Sequence, residues 1–332
     1  MRSKILWASM TLVAVTALTR QSTADGVQSS AADRDGLHYL TLENRHVQME
    51  FIPAQGGICS RFEIKGWTGD NNATLLLDPA SGCTGGLLED WFVSPRLKFN
   101  TNEYLYEITG DASRKSLHLW TTGTRDLMYL RLHKTITLDR DSSEVGVVYE
   151  FKNSPESYTD YEIAVQFHNF LGLRGEPNNY YFPMADGVHT LTYDLAKGKF
   201  AKGREAEALK SYPDLGNEFP NPVRGWSAVV GETSRHGVAI DFDYEYLDSF
   251  YCWTSLELST FEAFSRKTVI PQGGSLTIGF SLYPFQGVSR VDGVIDGIVC
   301  SIEGNNRIGE DSLGSYEIKL HAAEKKTVRL TT

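Results

Sequence analysis

The sequence lacks the short motifs that announce the commoner enzyme classes. It has no G-x-G-x-x-G turn after a strand-like run, no P-loop, no H-E-x-x-H, no G-x-S-x-G and no paired Cys/His spacing. Dinucleotide-binding, phosphoryl-transfer, zincin and serine-hydrolase chemistry therefore have no support here. Positive charge is also scarce: 32 Lys and Arg stand against 42 Asp and Glu, a formal net charge of −10. No nucleic-acid partner is expected on that balance, because phosphate backbones are held by cationic faces. Long apolar runs are nearly absent, and the one at residues 5–18 falls short of the roughly 20 residues of a spanning helix. With 30 Gly and 11 Pro in 332 residues, collagen and low-complexity disorder are excluded as well.

What is present begins with an export signal. Residues 1–4 are short and basic, residues 5–18 are apolar, and Ser22, Thr23 and Ala24 place small residues where a signal peptidase reads them. A signal peptide over 1–24, and a secreted or periplasmic location, are expected. The segment holds Arg2, Lys4 and Arg20 and no acid, so its removal takes the charge from −10 to −13. The remaining chain has no run long enough for a membrane span. Cys59, Cys83, Cys252 and Cys300 follow in that compartment, either as one or two disulfides or as buried thiols. A glycosylation sequon stands at Asn72-Ala73-Thr74.

The dominant pattern is period two. Val47, Met49 and Phe51 alternate with His46, Gln48 and Glu50, as a strand with one buried face requires. The same rhythm carries Val145 to Phe151, Ile163 to Phe167, Val238 to Phe242 and Leu276 to Leu282, with turns at 139–142 and 272–275 between them. Only residues 204–210 read as a short helix. The prediction is an antiparallel all-β protein with large sheets stacked face to face. Residues 25–37 read as a linker and 38–287 as the main domain. Residues 288–332 read either as a C-terminal β extension or as the start of a further module.

Three segments resemble the galactose mutarotase-like (aldose 1-epimerase-related) proteins. Residues 40–58, ending in Gln55-Gly56-Gly57-Ile58, resemble their opening strands and Gly-Gly turn. Val165-Gln166-Phe167-His168-Asn169-Phe170 resembles the strand bearing their catalytic histidine. Trp253-Thr254-Ser255-Leu256-Glu257-Leu258, followed by Pro271-Gln272-Gly273-Gly274, resembles the strand with their catalytic glutamate and the turn after it. The family's Asn-Arg-Ile segment and His-Gly-Gly turn are missing, and Gly85-Gly86-Leu87-Leu88-Glu89-Asp90-Trp91-Phe92 stands near those places. The resemblance implies a β-supersandwich that interconverts sugar anomers, with His168 as acid and Glu257 as base and no metal or organic cofactor. The same fold also serves as a non-catalytic carbohydrate-binding domain and as a domain of polysaccharide lyases and glycoside hydrolases, so a sugar or polysaccharide is the expected partner.

The residues themselves fit a sugar cleft. His168 lies opposite Val165 and Phe167 in its alternation, and its usual pKa near 6.5 suits acid–base work at neutral pH. Glu257 alternates with Leu256 and Leu258; Glu262 is its rival as base. Asp241 and Asp243 alternate with Ile240 and Phe242 and are candidate acceptors for sugar hydroxyls. Trp91 and Trp253 are the tryptophans expected to stack on a pyranose face, with Trp120 and Trp226 as less favoured candidates. Arg61 and Arg96 are candidate hydroxyl or carboxylate donors. His118, His133 and His189 carry no distinguishing pattern.

Overall fold

The structure is a computed structural model and describes residues 10–12, 26–65, 86–94, 99, 102–169, 176–194, 199–202, 216–253, 260–304, 316–324 and 326. The chain runs through β1 (Met10–Leu12), β2 (Gln28–Arg34), β3 (Leu37–Glu43), β4 (Val47–Ile52), β5 (Ile58–Ile64), β6 (Glu89–Ser94), β7 (Leu105–Gly110) and β8 (Arg114–Thr122). A 3-10 turn at Arg125–Leu127 leads to β9 (Leu130–Asp139), β10 (Val145–Asn153), β11 (Tyr161–His168), β12 (Pro177–Met184), β13 (Gly187–Asp194), β14 (Lys199–Lys202) and β15 (Gly216–Pro220). Then follow β16 (Trp226–Gly231), β17 (His236–Phe242), β18 (Leu247–Trp253), β19 (Glu262–Ser265), β20 (Thr268–Ile270), β21 (Ser275–Gln286), β22 (Gly293–Ile295), β23 (Ile298–Gly304) and β24 (Tyr316–Ala322). Among the described residues there is no α-helix; residues 204–210, expected as a short helix, lie outside them, as does the sequon at Asn72.

The architecture is the expected all-β one. A ten-stranded sheet, in the order β14-β13-β12-β16-β17-β21-β10-β9-β8-β7, faces a six-stranded sheet ordered β15-β18-β19-β11-β20 with β6 added beside β11. The alternation read from the sequence supplies the layer between them. Phe167 of β11 meets Tyr149, Phe242 and Phe280 of the large sheet with ring centroids 4.9, 5.1 and 5.7 Å apart. Aromatic pairs at such spacings add about 1 kcal/mol each beyond their buried area. Two four-stranded sheets complete the molecule, β2-β3-β4-β5 and β1-β24-β23-β22. The latter covers the outer face of the large sheet, where Val291, Val294 and Val299 pack with Trp226, Tyr283 and Phe285.

Residues 25–37, expected as a linker, contain β2. Its seven side chains are all exposed, so Gln-Ser-Ser-Ala-Ala-Asp-Arg carries no apolar alternation, and the backbone ladder to β3 holds it instead. Likewise the Gly-rich approach to Trp91 becomes β6, which pairs with β11. Cys59 and Cys252 are buried free thiols and Cys300 a half-buried one, while Cys83 lies outside the described residues. Burial pushes the Cys59 thiol up to about 12.

One buried cation joins the layers. Lys134, fully buried on β9, donates to the carbonyls of Gly56, Gly57 and Leu88 at 3.0, 3.1 and 3.1 Å, and its Nζ lies 4.8 Å from the centre of the Tyr104 ring. The Gly56-Gly57 turn presents those carbonyls because both residues take positive φ, 70° and 56°, where a Cβ is strained. Replacing the cation by a side chain of similar length without donors deprives several buried carbonyls of a charge-assisted partner. Lys134→Met is expected to lower stability by about 3 kcal/mol, measured by urea unfolding; a loss below about 1 kcal/mol would mean that water satisfies those carbonyls.

Candidate functional site

The site is built on the six-stranded sheet, around the C-terminal end of β11. Register pairs Gln166 with Trp91, Phe167 with Asp90 and His168 with Glu89 on β6. On the other side Gln166 pairs with Phe264 and Phe167 with Ala263 of β19, so one further residue brings Glu262 opposite His168. Beyond β19, Tyr251 of β18 pairs with Glu262, and Glu218 of β15 pairs with Tyr251. Because Phe167, Ala263 and Phe250 enter the core, the alternation turns Gln166, Glu262, Phe264 and Tyr251 to the other face of the sheet.

Asn169 fixes the strand ends that make this corner. Its side chain accepts from Leu88 N–H at 3.0 Å and donates to the Phe167 carbonyl at 3.2 Å, and its own carbonyl accepts from Phe261 N–H at 2.8 Å. It is buried, and it links the entry to β6, the end of β11 and the entry to β19. The adjacent ends of β18 and β19 are closed by Thr260, whose N–H donates to the Trp253 carbonyl at 2.7 Å and whose hydroxyl accepts from Trp253 N–H at 3.0 Å.

The chemistry concentrates on Glu262. Its carboxylate is only 1% exposed, accepts from the Gln166 side-chain amide and from the Thr260 hydroxyl, and stands beside Tyr251. Burial, then the charges of Glu262, Cys252 and Glu218, hold the Tyr251 phenol above its usual range. Burial and Glu262 raise the Cys252 thiol as well. Tyr251 meets Phe264 edge-on at 5.7 Å, and Trp253 is half-buried at the end of the same strand. A carboxylate acceptor among aromatic rings can accept a hydroxyl proton and offers apolar ring faces to a pyranose. Among the described residues no group of three or more His, Cys, Asp or Glu is placed to hold a metal ion, and no helix is long and apolar enough to cross a membrane.

The structure brings His168, Trp91, Trp253 and Glu262 into one sheet, the first two by backbone register. Glu257 and Arg96 lie outside the described residues. Asp241 and Asp243 are placed elsewhere. Asp241 belongs to the ten-stranded sheet; its neighbour Phe242 enters the core against Phe167, so Asp241 faces outward, beneath the C-terminal sheet. The core thus separates it from Glu262. Asp243 is exposed and accepts from Glu245 N–H at 3.3 Å within a turn. Arg61 lies on β5 and pairs with Glu63. Trp226 packs in the C-terminal core; Trp120, His118 and His133 share the outer face of the large sheet, where His118 and His133 are 5.4 Å apart; His189 pairs with Asp186 at 2.7 Å. Gln166, Tyr251 and Thr260 were not singled out from the sequence. The Thr260-Phe261-Glu262 alternation was the signal for Thr260, but isolated polar residues on a strand do not declare what they touch.

No protein-family model matches the chain, and no curated protein matches it. Solved structures do. A galactose mutarotase-like protein from Clostridium acetobutylicum superposes with a TM-score of 0.56 at 9% identity, covering 79% of this chain and 99% of its own. A galactose 1-epimerase from Lactobacillus acidophilus gives 0.53 at 13% identity, covering 79% and 99%. A TPR-domain containing protein from Parabacteroides distasonis gives 0.55 at 13% identity and covers 78% of this chain, which spans only 48% of that protein. The chain therefore has the galactose mutarotase-like fold. At these identities it is a divergent example, and the likeness extends to the fold alone.

Asp241 carries a testable consequence of its position. Burial, then Asp296 and Glu144, raise its carboxyl to about 6. A carboxyl whose folded pKa exceeds its unfolded value near 4 favours folding while protonated, and that contribution fades as pH rises from about 4 to about 6. Asp241→Asn removes the penalty of the charged form. Its Tm relative to the parent is expected to rise between pH 4 and pH 7; a difference independent of pH would show that the charge is solvated.

Proposed function

We propose that the protein is an exported, carbohydrate-active enzyme that interconverts sugar anomers, with His168 as acid and Glu262, in place of Glu257, as base. The observation that carries the reading is the buried, doubly hydrogen-bonded carboxylate of Glu262 directly across the ladder from the His168 position, on a galactose mutarotase-like scaffold. Export rests on the pattern of residues 1–24; removal of that segment takes away β1 and leaves β24 as the edge of its sheet.

The step balances without a co-reactant. The Glu262 carboxylate takes the proton of the anomeric hydroxyl, whose oxygen forms a carbonyl with C1 as the bond from C1 to the ring oxygen breaks. The ring oxygen takes a proton from the His168 imidazolium. Rotation about C1–C2 and the reverse transfers close the ring as the other anomer and restore both groups. Trp253 and Tyr251 supply the apolar wall for the ring.

Proton NMR of freshly dissolved α-aldoses, followed through their anomeric signals, tests this. One or more sugars are expected to equilibrate faster with the protein. That acceleration should fall about 100-fold or more in His168→Asn and in Glu262→Gln, and persist in Glu257→Gln. Loss in Glu257→Gln with retention in Glu262→Gln would return the base to Glu257. Line broadening without acceleration would make the protein a carbohydrate-binding domain, and products absorbing in the ultraviolet from a polysaccharide would make it a lyase.

A further inference from the structure

The Glu262 carboxylate accepts from a side chain on β11 and from one on the approach to β19, and the latter also holds the end of the strand that bears Trp253. Thr260 stands two residues before Glu262 on the approach to β19; Gln166 reaches it from β11. The Thr260 hydroxyl has one proton and two acceptors within reach: a Glu262 oxygen in close contact, and the Trp253 carbonyl at 3.5 Å. The shorter, charge-assisted bond takes the proton. Its lone pairs meanwhile accept Trp253 N–H at 3.0 Å. The hydroxyl is therefore oriented from both sides, receiving at Trp253 and donating at Glu262. Thr260 is 0% exposed, so water does not compete with either bond.

We infer that Thr260 and Gln166 are positioning residues for Glu262: together they hold each of its oxygens by a donor, keep the carboxylate ionised, and tie its place to the Trp253 end of β18. The inference rests on the acid–base reading above only for what the carboxylate does to a sugar; the anchoring stands by itself. It adds a division of labour, in which Glu262 receives the proton and Thr260 sets where and in which state it waits. Donors to the charged form of a carboxyl favour that form. Among the described residues, the titratable groups about Glu262 include Tyr251 and Cys252 of β18 and Glu218 of β15, with His168 and Glu89 at neighbouring register positions; the anionic ones oppose ionisation, so the two donors act against them.

The test follows the carboxyl directly. In full-length protein carrying 13C-labelled glutamate, the Glu262 side-chain signal is assigned by its loss in Glu262→Gln and titrated in the parent, in the nearly isosteric Thr260→Val, in Thr260→Ser and in Gln166→Met. The midpoint is expected to rise by about one pH unit or more in Thr260→Val and in Gln166→Met, and to return towards the parent in Thr260→Ser. Where the parent accelerates anomer exchange, the acidic limb of kcat/KM moves with the midpoint. An unchanged midpoint in either removed-donor variant, with its circular dichroism intact, overturns the inference; Gln166→Met serves if Thr260→Val does not fold. A shifted midpoint in a parent that accelerates no anomer exchange overturns the acid–base reading and leaves Glu262 as an anchored acceptor for a sugar hydroxyl.

Discussion

The arrangement depends on where one cation is buried. Lys134 sits at the level where three separate stretches of chain converge: the Gly56-Gly57 turn, the Leu88 approach to β6, and β9 itself. An ammonium group without water must find oxygen, and three of the oxygens it finds are backbone carbonyls from segments that share no ladder with β9. The aromatic rings of Tyr104 and Tyr149 lie 4.8 and 5.9 Å from it. This one side chain thereby locates Leu88, and Leu88 N–H is the donor to Asn169. The chain of dependence runs from the large sheet to the corner where β6, β11 and β19 meet.

Strand periodicity then decides what that corner presents. Every second residue of β11 feeds the layer between the sheets, and Phe167 touches three aromatic rings there. Its neighbour Gln166 has no access to that layer, so the alternation turns that amide to the opposite face, where it meets Glu262. Glu262 occurs on that face for the same reason, as the neighbour of buried Ala263. Asp241 obeys the identical rule on the other sheet and comes out on the opposite side of the molecule. Two carboxylates with the same local pattern, each beside a buried apolar residue, thus have unrelated surroundings.

That contrast shows how much was legible beforehand. The all-β class and the major strands were readable, because alternation such as Val145 to Phe151 is local and β10 buries those alternate positions. The resemblance in three short segments pointed to the fold that the solved structures share. Which sheet each strand joins was not readable, and this separated Asp241 from Glu262. The strand at Gln28–Arg34 escaped notice because nothing on it is buried, and the one at Glu89–Ser94 because it follows glycines. Lys134, Asn169 and Gln166 act through partners far away in sequence, 46 to 78 residues off for Lys134, 81 for Asn169 and 96 for Gln166, while Thr260 acts over two and seven residues across a turn that no alternation marks.

Thr260 draws the packing and the chemistry together. Its backbone and its hydroxyl both bond to Trp253, so residues 253 and 260 are fixed against each other whatever sequence joins them. Closure at that point holds the end of β18 and the start of β19 in one register, and the same hydroxyl donates a hydrogen bond to the Glu262 carboxylate. A hydroxyl at 260 closes the strand pair and orients the carboxylate in a single placement, so its loss is felt in the register of the sheet and in the state of the acid together.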